Sequence, residues 1–244
     1  MYKTIAAAHP GMYHLSSSLP CQDAVYRYTG EEGAVITLAD GAGSVPESGT
    51  ISRAFTETAG DYLLQHFERL YELPAEAVKD EIAGLASAVS AQCGMPADCT
   101  FLAYVRKDCR SLMLHIGDGM IFGIGESAAV LSLPENGRYH NETFFLSDPH
   151  VHERLRVRKD PEGIDTVILC SDGISPQLWN ARSGQIANAV SIFAGWLRNY
   201  PAEQVEQRVR EEIKDLFSTM SDDDMSIAMM HWDDGTSDGQ AVCR

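Results

Sequence analysis

The chain has 244 residues, 44% of them hydrophobic, and carries 35 Asp and Glu against 19 Lys and Arg, a net charge of −16. That apolar content fills a sizeable core, and the length suits one domain. The acidity repels phosphate backbones and anionic headgroups, which argues against nucleic acid and membrane surfaces as partners.

The N-terminal MYKTIAAAHPG has one Lys and an apolar patch broken by His9, Pro10 and Gly11, too weak for a secretory leader, and no apolar run approaches a membrane span. The cysteines at 21, 93, 99, 109, 170 and 243 form no C-x-x-C pair, so reduced thiols in a cytoplasmic protein are expected. Strand-like periodicity opens the chain at residues 3–8, 24–28 and 34–39. Between Thr50 and Leu70 the apolar residues Ile51, Phe55, Ala59, Leu63, Phe67 and Leu70 step by three or four, and Val78, Ile82, Leu85 and Val89 repeat this between Pro74 and Gln92. Strand-like segments return at 100–106, 111–116, 120–124, 128–133 and 142–147 with short turns between them, the pattern of an antiparallel meander. After a strand at 165–170, residues 186–200 read as an apolar helix, and Pro201 opens another whose buried face is Val205, Val209, Ile213 and Leu216. A last strand covers 225–231. This order predicts an α+β fold, two helical layers covering antiparallel sheet, in one domain over residues 1–232 with a polar, fraying tail at 233–244.

Three apolar runs end alike: AVITLADG at Gly41, LMLHIGDG at Gly119 and TVILCSDG at Gly173. An Asp-Gly pair by itself is a turn signal, and SLMLHI and MIFGI flank Asp118 as the arms of a hairpin would. Turn chemistry does not account for three matching strand ends accompanied by CQDA at 21–24 and SDDDMSIAMM at 221–230. In a layered fold strand ends gather along one edge, so these acids face one another. Carboxylates about 4 Å apart repel by roughly 4 kcal/mol at an effective dielectric of 20, and protons or cations must relieve that. Oxygen donors without nearby His or Cys favour Mg²⁺ or Mn²⁺ over zinc, and a pair of such ions suits phosphoryl hydrolysis.

The ordered words Q-D-A, A-D-G-A-G-S, D-C-T-F, G-D-G, C-S-D-G and D-D-M-S resemble the metal-dependent protein serine/threonine phosphatases, the type 2C or PPM family, from about His9 to Trp232. The resemblance implies a four-layer α-β-β-α sandwich, two antiparallel sheets flanked by helix pairs. It implies two Mn²⁺ or Mg²⁺ ions with room for a third, and hydrolysis of phosphoserine and phosphothreonine by a metal-activated bridging water. By position, Asp40 resembles the bridging metal ligand, the Gly41 carbonyl a ligand of one ion, and Asp172 and Asp223 ligands of the other. Asp118 resembles the third-metal residue and Asp23 the acid that orients the attacking water. Gln22 replaces a glutamate that touches the second metal, Ala42 stands where animal enzymes have a histidine acid, and SSSLPC lacks the phosphate-gripping arginine, for which His14 and Arg53 are substitutes to weigh. The implied partners are a phosphorylated protein substrate and a cognate Ser/Thr kinase.

Other features carry less. His150 and His152 lack a third zinc ligand, Asp222 to Asp224 lack the glycine and glutamate of a calcium loop, Cys21 has no neighbouring His to make a thiolate, and there is no P-loop word. His115 reads as strand packing and Thr100 as either packing or the family's Thr. The segment from Glu135 to Glu162 reads as a flap or a plain connection. The alternative function is a catalytically silent relative that binds phosphoproteins or a kinase; a third is a phosphatase of small metabolites.

Overall fold

The computed structural model describes residues 1–137 and 143–233. The chain begins with β1 (Tyr2–His9), a short α1 (Met12–Ser17), β2 (Ala24–Thr29) and β3 (Ala34–Ala39), followed by α2 (Ser48–Gln65), α3 (Phe67–Glu72) and α4 (Ala75–Cys93). Next come β4 (Phe101–Lys107), β5 (Arg110–Ile116), β6 (Met120–Gly125), β7 (Ala128–Ser132), α5 (Val151–Arg154), β8 (Arg156–Lys159) and β9 (Ile164–Cys170). The last part holds α6 (Ser175–Leu178), β10 (Trp179–Asn180), β11 (Gln185–Ile186), α7 (Asn188–Asn199), α8 (Ala202–Asp215) and β12 (Met225–Trp232).

Two five-stranded antiparallel sheets form, ordered β1-β12-β9-β6-β7 and β2-β3-β4-β5-β8. Period-2 alternation assigns each face. In β3, Ile36 and Leu38 join Leu102, Ile121, Val167 and Leu169 between the two sheets, whereas Val35 and Ala39 turn outward to α2 and α4. On that outer side Phe55, Leu63 and Ile82 pack on Val105 and Leu114. On the opposite outer side Phe193, Leu197 and Val209 pack on Ile168, Ile227 and Met229. Each fully buried Leu, Ile or Phe contributes about 1.5–3 kcal/mol, so the helical stripes hold the sheets in place. Among the described residues no helix is long and apolar enough to cross a membrane.

Several expectations change. The run from 100 to 147 is not one meander: β5 belongs to one sheet and β6 to the other, so Gly117-Asp118-Gly119 is a crossing between sheets rather than a hairpin turn. Gly117 makes it possible with a φ of 107°, a conformation that costs a residue with a Cβ dearly. The predicted strand at 142–147 is absent over its described part. Phe144 and Leu146 meet the helix-side core, but the Leu146 and Ser147 N–H groups bond the Cys99 and Ala97 carbonyls at 3.0 and 3.1 Å instead of a ladder. The fifth strand of that sheet is β8, whose RVRK sequence has no apolar alternation to announce it. The first long helix breaks at His66, and Leu216 is exposed because α8 stops at Asp215 and the chain turns, burying Phe217 instead. Cys21, Cys93, Cys99 and Cys170 are free thiols, while Cys109 is disulfide-bonded and departs from the all-reduced expectation. Of the expected tail only Asp233 lies within the described residues, and its N–H bonds the Met1 carbonyl at 3.0 Å.

Candidate metal centre

Strand register brings the acids together. Ala24 pairs with Ala39, so Asp23, just before β2, and Asp40, just after β3, flank the end of one antiparallel pair. Met120 pairs with Cys170, which sets Asp118, two residues before β6, opposite Asp172, two residues beyond β9. Ile227 also pairs with Cys170, which draws the start of β12, and Asp223 before it, to the same end. One sheet thus contributes Asp23 and Asp40, the other Asp118, Asp172 and Asp223. Across the gap, carboxylate oxygens of Asp40, Asp118 and Asp172 all lie within 4.8 Å of one another. Asp223 is outside that trio and more exposed, yet close enough for its charge to act on Asp118 and Asp172.

The glycines after the acids serve close approach, not turning: Gly41, Gly119 and Gly173 are not among the residues at positive φ. A Cβ on Gly173 would lie 2.0 Å from the Asp224 carbonyl oxygen, one on Gly119 2.8 Å from the Cys170 oxygen, and one on Gly41 2.6 Å from the Ser48 hydroxyl. Smallness at these three positions lets the strand ends close around the acids. The backbone N–H of Asp40 bonds Thr100 Oγ1 at 3.0 Å, so Thr100 anchors the end of β3 rather than only filling space.

Burial and mutual charge make this a costly arrangement. Desolvation, opposed by the Ser226 and Ser171 hydroxyls, pushes the Asp23 carboxyl up to about 7, and neither of its oxygens has a partner in hydrogen-bonding geometry. Desolvation and the charges of Asp118, Asp223 and Asp23 push Asp172 up to about 7. Asp40 rises well above the usual carboxylate range through desolvation and then the charges of Asp23, Asp172 and Asp118; desolvation raises Asp118 as well. Oδ1 of Asp118 and Oδ1 of Asp172 are buried without partners. Orphaned, converging carboxylate oxygens with no imidazole or thiolate among them fit a hard divalent cation, Mg²⁺ or Mn²⁺, and do not fit zinc.

One residue of the site escaped the sequence reading. Asp224 is buried, and its Oδ1 accepts the Gly11 N–H at 2.7 Å and faces His14 Nδ1 at 2.7 Å, while Oδ2 accepts the Gln22 N–H at 2.5 Å. It ties α1 and the Gln22-Asp23 segment to the start of β12. A triple Asp run gives no hint which member points inward; only the fixed pairing of β12 decides it.

The remaining candidates separate clearly. His14 is buried against Asp224, whereas Arg53 is exposed on α2 beside a cavity of about 550 Å³ that Cys21 also lines. Burial raises the Cys21 thiol far above its ordinary range, which disfavours a thiolate. His150 faces Glu153 at 3.5 Å and His152 faces Asp80 at 3.2 Å, so they form no zinc pair. His115 is buried with Nδ1 2.8 Å from the Ser132 hydroxyl, and residues 138–142 of the suggested flap lie outside the described residues.

A family model described as protein phosphatase 2C matches residues 10–225. Serine/threonine-protein phosphatase 3 of Escherichia coli strain K12 is 25% identical over 264 residues, covering 95% of this chain and 98% of its own. Serine/threonine phosphatase Stp1 from Staphylococcus aureus superposes with a TM-score of 0.67 at 11% identity, covering 96% of each chain. RsbX, crystallised in complex with magnesium, superposes with a TM-score of 0.57 at 11% identity over 94% of each chain. At those identities the solved structures speak to the fold.

Proposed function

The chain belongs to the protein phosphatase 2C family, and from that premise we propose that it hydrolyses phosphoserine and phosphothreonine in proteins with Mn²⁺ or Mg²⁺ held at the acidic strand ends. The observation that carries this reading is the convergence of Asp40, Asp118 and Asp172, from both sheets, within 4.8 Å. In this proposal Asp40, Asp118, Asp172 and Asp223 and the Gly41 carbonyl hold the ions. Divalent ions held there would supply positive charge for the phosphoryl oxygens and would lower the pKa of the attacking water. Asp23, buried with both oxygens unpartnered, orients that water and takes up its proton. Ala42 carries no acid where animal enzymes of the family have a histidine, and in this proposal the departing alkoxide takes its proton from solvent.

Magnesium in the RsbX crystal supports the choice of a hard cation. A Ser/Thr kinase that makes the phosphoester is the partner class this chemistry requires, and a cytoplasmic location follows from the expected substrates. The test is hydrolysis of an aryl phosphate and a phosphopeptide. Activity should appear with Mn²⁺, vanish with chelator and collapse in Asp40→Ala and Asp172→Ala; activity that survives either substitution contradicts the assigned roles. The silent-relative alternative predicts no calorimetric Mn²⁺ binding at all by folded protein.

A further inference from the structure

Gln22 reads in sequence as a weakened metal contact, a neutral residue where the family has a glutamate. Its surroundings show a different task. The residue is 3% exposed and bonded on three sides. Its Nε2 donates to the Val45 carbonyl at 2.8 Å, its own carbonyl accepts the Gly41 N–H at 3.2 Å, and its N–H donates to Asp224 Oδ2 at 2.5 Å. Val45 belongs to the turn that joins Gly41 to α2, closed by Val45 N–H to the Ala42 carbonyl at 2.9 Å and Ser48 N–H to the Val45 carbonyl at 3.0 Å. The helix also leans on this point, since a Cβ on Gly49 would lie 2.6 Å from the Cys21 carbonyl oxygen and 3.1 Å from Gln22 Cα.

Gln22 therefore joins three segments that carry acids: the one entering β2 with Asp23, the one leaving β3 with Asp40, and the one entering β12 with Asp223. Neither Asp23 oxygen has a partner in hydrogen-bonding geometry, although the Ser226 and Ser171 hydroxyls act on it, so the residue next to it contributes to its placement. Between an amide and a carboxylate, only the amide performs the side-chain part. The Val45 carbonyl, which already accepts the Ser48 N–H, has a second lone pair for the Gln22 amide, whereas a carboxylate offers only acceptors.

We infer that Gln22 is a positioning residue: it braces the turn 41–48 and sets Asp23 beside Asp40, and residue 22 is a glutamine because its amide adds a second donor to the Val45 carbonyl, which a glutamate could not. Its kinetic consequence rests on the phosphatase reading above. The inference reverses the expectation from the family pattern, in which Gln22→Glu restores an anionic metal contact and tightens the second ion. Here Gln22→Glu turns an oxygen onto the Val45 oxygen and loosens the turn.

The experiment compares wild type, Gln22→Glu and Gln22→Met by steady-state kinetics on an aryl phosphate, Mn²⁺ calorimetry and hydrogen exchange of residues 41–48. Methionine keeps the length and removes the bond without adding charge. Both variants should lose about tenfold or more in kcat, the scale of a lost supporting hydrogen bond around a metal site, with KM within about twofold. Exchange should quicken at 41–48 and stay unchanged in β4 and β9, and Gln22→Glu should bind Mn²⁺ no more tightly than wild type. About tenfold tighter Mn²⁺ binding by Gln22→Glu at wild-type kcat overturns the inference, as does a Gln22→Met variant with unchanged kcat and exchange. A wild type without Mn²⁺-dependent hydrolysis ends the phosphatase reading instead, and the exchange and calorimetry still decide the brace.

Discussion

Replacing Asp40 by Asn should change stability in opposite directions with and without metal. In chelator, Asp40 sits within 4.8 Å of two other carboxylates, and each such pair repels by about 3.5 kcal/mol at an effective dielectric of 20. In the folded chain the Asp40 carboxyl is raised well above the usual range by desolvation and by the charges of Asp23, Asp172 and Asp118. The unfolded carboxyl titrates at about pH 4, so above that pH the folded state carries a penalty of about 1.4 kcal/mol for each pH unit by which its carboxyl is raised. The repulsion alone is a few kcal/mol. Asparagine is neutral in both states, and Asp40→Asn should gain about 2–3 kcal/mol in chelator, roughly 5–10 °C in Tm for a chain of this size. The sign follows from linkage: a raised folded pKa means protons are bound in the folded state, so the penalty is absent below about pH 4 and grows above it. The gain should shrink to nothing near that pH. In millimolar Mn²⁺ the order should invert, because only wild type binds the ion tightly, and the variant should be inactive. Differential scanning fluorimetry across pH, with chelator and with Mn²⁺, measures all of this. An Asp40→Asn protein that is no more stable than wild type in chelator near pH 7.5, or whose gain is independent of pH, refutes the reasoning.

Manganese affinity should rise steeply with pH between about 5 and 8, because Asp172, raised to about 7, must lose its proton to hold the ion. Calorimetry in buffers of different ionisation enthalpy should register that proton release, and a flat affinity would contradict it. Gly173→Ala sets a Cβ 2.0 Å from the Asp224 carbonyl oxygen; it should cost at least about 1–3 kcal/mol in urea unfolding and weaken Mn²⁺ binding, whereas an unchanged midpoint would show that the strand ends are not tightly closed. His14→Ala removes the side chain 2.7 Å from buried Asp224 and should cost about 1.5–3 kcal/mol in the same assay, with no loss expected if that contact were idle.

Sequence periodicity located most strands and the four long helical patterns because core-facing residues recur at 2.0 and 3.6. Ile36 and Leu38 against Val35 and Ala39 show the alternation doing so. It could not reveal β8, where Arg156, Val157, Arg158 and Lys159 form a polar sheet edge held by backbone pairing to β5. Nor could it show that Gly117 to Gly119 crosses between sheets, since a hairpin and a crossing share the same local chemistry and differ only in distant pairing. The acids Asp40, Asp118 and Asp172 were legible as repeated strand endings, and register explains why such endings meet. Asp224 and the bracing side of Gln22 were not legible, because their roles depend on hydrogen bonds between segments about 20 and 200 residues apart in the chain.

The central claim is that carboxylates from two sheets share divalent ions. A crystal soaked in Mn²⁺ and measured at the manganese absorption edge tests it most directly. Anomalous density should lie among Asp40, Asp118 and Asp172, with further occupied positions reached by Asp223 or the Gly41 carbonyl. Well-ordered carboxylates with no anomalous peak between them, or manganese bound only elsewhere on the surface, would contradict the account.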